Sequence, residues 1–145
     1  MKNFQIYLAG GMSKFDKDKF DEGNNWRVVL KNVFENNEKM NVTVINPNDY
    51  FNFKDNPPQY RSQREVMEFD LNKVRNSDLI IINYNDMYSL GTMAELAIAY
   101  EHRIPVIGLD EQKQELYPWQ VEMTNRIFDN IQELIEYGKC FYLCE

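Results

Sequence analysis

Glu95 is the carboxylate best placed in this chain to do chemistry. It belongs to the run Asp78–Tyr100, DLIIINYNDMYSLGTMAELAIAY, which reads as a buried strand, a polar loop and the start of a helix, with Glu95 in the first turn or so of that helix. Ser89, Gly91 and Thr92 stand at or just before that helix N-terminus, where free backbone N–H groups and the positive dipole end favour an anion. Glu95 lies three residues after Thr92, which is capping-box spacing, so the pair also reads as a reciprocal helix cap. The residues that follow it, Leu-Ala-Ile-Ala-Tyr, are almost wholly apolar. A carboxylate on so apolar a helix faces a cleft or finds a partner. Asp70, between Phe69 and Leu71 on another helical stretch, reads locally as a solvated helix acid or as a second site acid. Gly10-Gly11 ends an apolar run and gives the backbone room for close approach, or forms a tight turn and nothing more.

Other chemistries are excluded by what is missing. One pair of glycines makes neither a dinucleotide fingerprint nor a phosphate-binding P-loop. No serine sits in a Gly-x-Ser-x-Gly elbow. The single histidine, His102, belongs at a helix C-terminus, where it suits the dipole. Cys140 and Cys144, with one histidine in the chain, make a poor zinc site and read as reduced thiols packing a terminal segment. Arg61, Arg64 and Arg75 read as solvent ion-pair residues, Trp119 and Met123 as core or interface.

The elements that must position these residues follow from hydrophobic periodicity. Strands are expected at 4–9, 42–45, 79–82 and 104–109, the last with Pro105 near its start, where it costs least. Leu79-Ile80-Ile81-Ile82 has the continuous apolar character of a central parallel strand buried on both faces. Helices are expected over roughly 17–35, with Gly23-Asn24-Asn25 interrupting its first half, and over 62–76, 91–100 and 127–137. Residues 49–60 form a long aromatic, proline-containing loop. The tail 140–144 reads as a short edge strand or a dimer contact. This alternation predicts an α/β fold, a flavodoxin- or Rossmann-like three-layer sandwich with a central, mostly parallel sheet. Ligands in such folds sit beyond the C-terminal ends of the strands. The loops after the first three strands, 10–13, 46–60 and 83–91, therefore converge.

The chain has 145 residues, 43% hydrophobic and 27% charged, which suits one globular domain over 1–145. Its formal net charge of −7 argues against a nucleic-acid polymer as partner but leaves a small nucleotide possible. No leader segment is visible and no apolar run approaches the ~20 residues that cross a membrane, so a cytoplasmic protein is the expectation.

Taken together, the elements resemble the nucleoside 2-deoxyribosyltransferase superfamily. Ile6-Tyr7-Leu8-Ala9-Gly10-Gly11-Met12 is similar to the family's opening strand with its active-site tyrosine. Phe69-Asp70-Leu71, leading into Ser77-Asp78-Leu79-Ile80, resembles its helix-to-strand run. Ser89-Leu90-Gly91-Thr92-Met93-Ala94-Glu95-Leu96 is similar to its Gly-x-x-x-Glu-Leu signature, and Arg103-Ile104-Pro105-Val106-Ile107 to the strand that follows. The resemblance covers roughly residues 4–109 and matches the last third only in outline. It implies Glu95 as a nucleophile that attacks C1′ of a deoxyribose, Tyr7 as the residue that holds and tunes it, and Asp70 as the acid that helps protonate the departing base. It implies contacts to substrate from Gly10, Gly11, Met12 and Gly91. It further implies a homodimer or larger assembly, with Met123, Thr124 and Asn125 as candidates for a late contribution to the site, often made across subunits. The superfamily also holds hydrolases of deoxynucleoside 5′-monophosphates. Ser89 fits their phosphate-binding serine, whereas Asp86 stands close to where transferases hold the 5′-hydroxyl. The partners implied are a nucleoside or nucleotide and a free nucleobase, with no cofactor.

Overall fold

The computed structural model of the chain describes residues 2–12, 20–51 and 60–144. Most of residues 49–60, and the first residues of the expected 17–35 helix, lie outside this set. Five parallel strands, β1 (Asn3–Gly10), β2 (Asn41–Ile45), β3 (Leu79–Asn83), β4 (Val106–Leu109) and β5 (Arg126–Phe128), form one sheet in the order β2-β1-β3-β4-β5. This is the flavodoxin-like order, whose switch point lies between β1 and β3. The helices are α1 (Phe20–Glu35), α2 (Gln63–Arg75), α3 (Leu90–Glu101), α4 (Pro118–Met123) and α5 (Ile131–Tyr142).

Strand alternation divides the core in two. Ile6 and Leu8 of β1 join Leu30 and Phe34 of α1 and Leu134 of α5 under one face. Tyr7 and Ala9 join Val74 of α2 and Leu96 and Ala99 of α3 under the other. All five residues of β3 are buried, as its unbroken apolar run requires of a central strand. β1 pairs with β2 on one side and with β3 on the other, Tyr7 opposite Ile45 and Ile80.

The C-terminal third differs from expectation. Residues 126–128 are a fifth strand and not the start of a helix, and α4 lies between β4 and β5. Residues 140–142 are the last turn of α5 and not an edge strand. Pairing with β4 places Ile127 opposite Gly108, so a three-residue strand forms where local apolar spacing alone favoured helix. Helix α1 runs unbroken through Gly23-Asn24-Asn25. Trp119 is two-thirds exposed and is not core. No helix among the described residues is long and apolar enough to cross a membrane.

Candidate active site

The C-terminal ends of β1 and β3 open into a cleft of about 240 Å³ between α2 and α3. That is room for a small molecule. Gly10, Met12, Asp70, Ser89, Gly91 and Glu95 all line it, so β1, α2, α3 and the loops after β1 and β3 meet there. Val66, Met67 and Leu71 of α2 and Met12 give it an apolar wall suited to a flat ring. Val66 and Leu71 thus turn part of the apolar side of α2 toward the cleft.

Tyr7, fully buried, reaches from β1 and donates its hydroxyl hydrogen to Oε2 of Glu95. Glu95 therefore does not close a capping box with Thr92. The cap of α3 is Ser89, whose Oγ accepts from the Thr92 amide at 3.4 Å and from Thr92 Oγ1 at 2.9 Å. Glu95 falls in the second turn, on the side turned toward β1 and α2. Burial pushes its carboxyl up to about 8, with Asp70 adding to the rise and the Tyr7 hydrogen bond and Arg27 opposing it. Asp70 is raised to about 7, again by burial and against the pull of Arg27, and its Oδ1 has no hydrogen-bond partner among the described residues. Burial, and next the Glu95 charge, hold the Tyr7 phenol well above its ordinary range. The Asp70 charge thus acts on the Glu95 carboxyl across the cleft that both line. Glu95 is raised the further of the two, so the Tyr7 hydrogen bond and Arg27 are what favour its anion.

Gly11 and Asp86 are not among the residues that line the cleft. The Gly11 amide donates to Asn85 Oδ1 at 3.1 Å, and a Cβ on Gly11 would fall 2.8 Å from Asp86 Cβ. Asp86 itself accepts the Tyr88 amide at 3.0 Å. These bonds tie the loop after β1 to the loop after β3. Asn125 is brought elsewhere. Its Oδ1 accepts from the Val106 amide at 2.8 Å, at the start of β4, the opposite end of the sheet from the cleft. Thr124 is buried and bonded to Tyr84 Oη at 2.6 Å. His102 caps α3 through Ile98, and Arg64 pairs with Glu68 in solvent at 2.8 Å, as their positions suggested.

Sequence reasoning missed Arg27. It is 1% exposed on α1, donates from Nη2 to the Gly10 carbonyl at 2.9 Å and lies 4.4 Å over the Trp26 ring. Its spacing from Phe20, Leu30 and Phe34 puts a cation on the apolar stripe of α1, which is the signal that could have found it.

The family model for nucleoside 2-deoxyribosyltransferases matches residues 6–135. No curated protein sequence matches the chain. Among solved structures, a conserved protein from Enterococcus faecalis superposes with a TM-score of 0.73 at 17% identity, covering 96% of this chain and 99% of that one. A 2-deoxyribosyltransferase from Bacillus psychrosaccharolyticus gives 0.69 at 18% identity over 92% and 91% of the two chains. A CMP N-glycosidase from Clostridium botulinum gives 0.59 at 15% identity over 94% and 98%. These likenesses bear on the fold, and the family model spans most of the sequence. The chain belongs to the nucleoside 2-deoxyribosyltransferase family.

Proposed function

We propose that this enzyme is a nucleoside 2′-deoxyribosyltransferase that works through a covalent glycosyl-enzyme ester on Glu95. The observation that carries this reading is the Tyr7–Glu95 hydrogen bond with Asp70 lining the same cleft. Cleavage of an N-glycoside passes through an oxocarbenium-like state, which a carboxylate can trap. A Glu95 oxygen forms a bond to C1′ as the C1′–N bond breaks, and the electron pair leaves on the base. The proton on Asp70 moves to that base. A second base then attacks C1′, the ester opens to regenerate the Glu95 carboxylate, and the proton of the incoming base returns to Asp70. Tyr7 holds Glu95 in place and stabilises its anion before the first step and after the second. Met12, Val66 and Met67 offer the flat base an apolar wall.

Ser89 supports a second reading, hydrolysis of a deoxynucleoside 5′-monophosphate, because it lines the cleft at the N-terminus of α3. Here water takes the place of the second base. Incubation with deoxyinosine and adenine separates the two. New deoxyadenosine marks the transferase. Free base and sugar phosphate from a deoxynucleotide, with no exchange, mark the hydrolase. A Glu95→Ala variant that keeps full activity removes Glu95 from either mechanism.

A homodimer or larger assembly belongs to the same proposal. Tyr88 and Leu90, each at least 80% exposed, and Trp119 set apolar side chains on the outside of the α3 and α4 layer, where a second copy would cover them. A monomer by light scattering contradicts this.

A further inference from the structure

We infer that Arg27 is a positioning residue of this site, the internal counter-ion that holds the Tyr7–Glu95–Asp70 cluster in its working charge state from behind the end of β1. The inference rests on the function proposed above for that cluster. Its geometric basis is a buried cation whose Nε and Nη1 have no hydrogen-bond partner among the described residues, while Nη2 is fixed on the Gly10 carbonyl. Burying a guanidinium with donors left over is costly, so its retention calls for a compensating role.

Strand alternation shows how Arg27 gets there. Gly10 follows Ile6 and Leu8 on the α1 face of the sheet, whereas Tyr7 and Ala9 point to the face of α2 and α3. Gly10 also lines the cleft. A Cβ at position 10 would fall 2.8 Å from the Trp26 ring, so the missing side chain is what lets that ring, with Arg27 stacked over it, come up against the strand end. Arg27 is thus separated from the cleft by the backbone of one glycine. The titratable groups that act on it come from every layer across that strand: Glu95 from α3, Tyr7 from β1 and Asp70 from α2. Arg27 does not line the cleft and has no direct path to a ligand. It acts through the Gly10 carbonyl, which it anchors, and through the two carboxyls, whose ionised forms it favours.

The test reads those carboxyls directly and does not depend on turnover. Side-chain carboxyl carbons of Asp70 and Glu95 are followed by NMR through a pH titration in the wild type and in Arg27→Met, which keeps the length of the side chain and removes its charge. Both midpoints are expected to rise by about one pH unit in the variant, the size of shift that a nearby opposite charge produces. Arg27→Lys should hold them near their wild-type values. Unmoved midpoints in a folded Arg27→Met protein overturn the inference and leave Arg27 as a structural clamp. The wild type offers a check that needs no variant: the Arg27 Cζ resonance should shift in step with the carboxyl pair, and a flat trace across their titration overturns the inference even if Arg27→Met fails to fold. If the midpoints move but no N-glycoside is processed, the proposed reaction falls and the counter-ion role stands. If the enzyme turns over and the midpoints stay, the counter-ion role falls alone.

Discussion

Tyr7 and Glu95 are 88 positions apart in the chain and share one hydrogen bond, with the tyrosine hydroxyl as donor. The bond opposes the burial that raises Glu95, so it favours the form of Glu95 that can attack. Tyr7→Phe is expected to lower kcat/KM at neutral pH about 10- to 100-fold, since a hydrogen bond to a charged group contributes about 1.5–3 kcal/mol and each 1.4 kcal/mol is tenfold. The acid limb of the pH–rate profile should move to higher pH. A profile unchanged in both height and position refutes the coupling.

Asp70→Asn removes the proton donor and keeps the shape. General acid assistance contributes about 10²–10⁴-fold, and a loss of that order is expected with a purine deoxynucleoside. The loss should shrink with a substrate whose leaving group departs without protonation. Equal losses with both substrates would mean that Asp70 only binds.

Ser89 caps α3, so Ser89→Ala should lower stability by about 1 kcal/mol, readable in a urea melt. Activity tells more. If the nucleotide reading holds, the variant loses kcat/KM for a deoxynucleoside 5′-monophosphate and not for the corresponding deoxynucleoside. Under the transferase reading it leaves deoxyribosyl exchange within a few-fold of wild type.

Stability should depend on pH through the same two acids. Burial raises Asp70 to about 7 and Glu95 to about 8, so the folded state binds protons that the unfolded chain releases. Their contribution is fully present below the ordinary carboxylate range and is lost as pH rises through 7 and then 8. The melting temperature is expected to fall over that interval, and to fall less in the Asp70→Asn, Glu95→Gln double variant. A fall of equal size in both proteins assigns it to other groups.

Much of this was legible in the sequence because parallel α/β units write themselves in period. The β3 run and the apolar spacing of α2 and α5 put four of the five strands and the main helices within reach of inspection. β5 was not legible. A three-residue strand carries too little pattern, and it forms because β4 offers it a ladder. Glu95 was visible as an acid on an apolar helix, but the local Thr92–Glu95 spacing suggested a cap. Only the fold, by bringing Tyr7 up beside α3, decides between the two. Arg27 escaped notice because a side chain with a charged end on an amphipathic helix is ordinarily solvated, and nothing local says that Gly10 leaves a space above it. Asn125 was drawn from a loose match late in the chain, and its side chain is engaged at the N-terminal end of β4.

The register of β1 has a kinetic consequence. Because side chains alternate, a slip of one residue against β2 and β3 would turn Tyr7 away from Glu95 and carry Gly10 off the α1 face. Enzymatic activity thus reports the arrival of one central strand between two distant neighbours. On refolding from denaturant, recovery of turnover should lag behind recovery of the helical signal in circular dichroism, since such non-local pairing is among the slower events of folding.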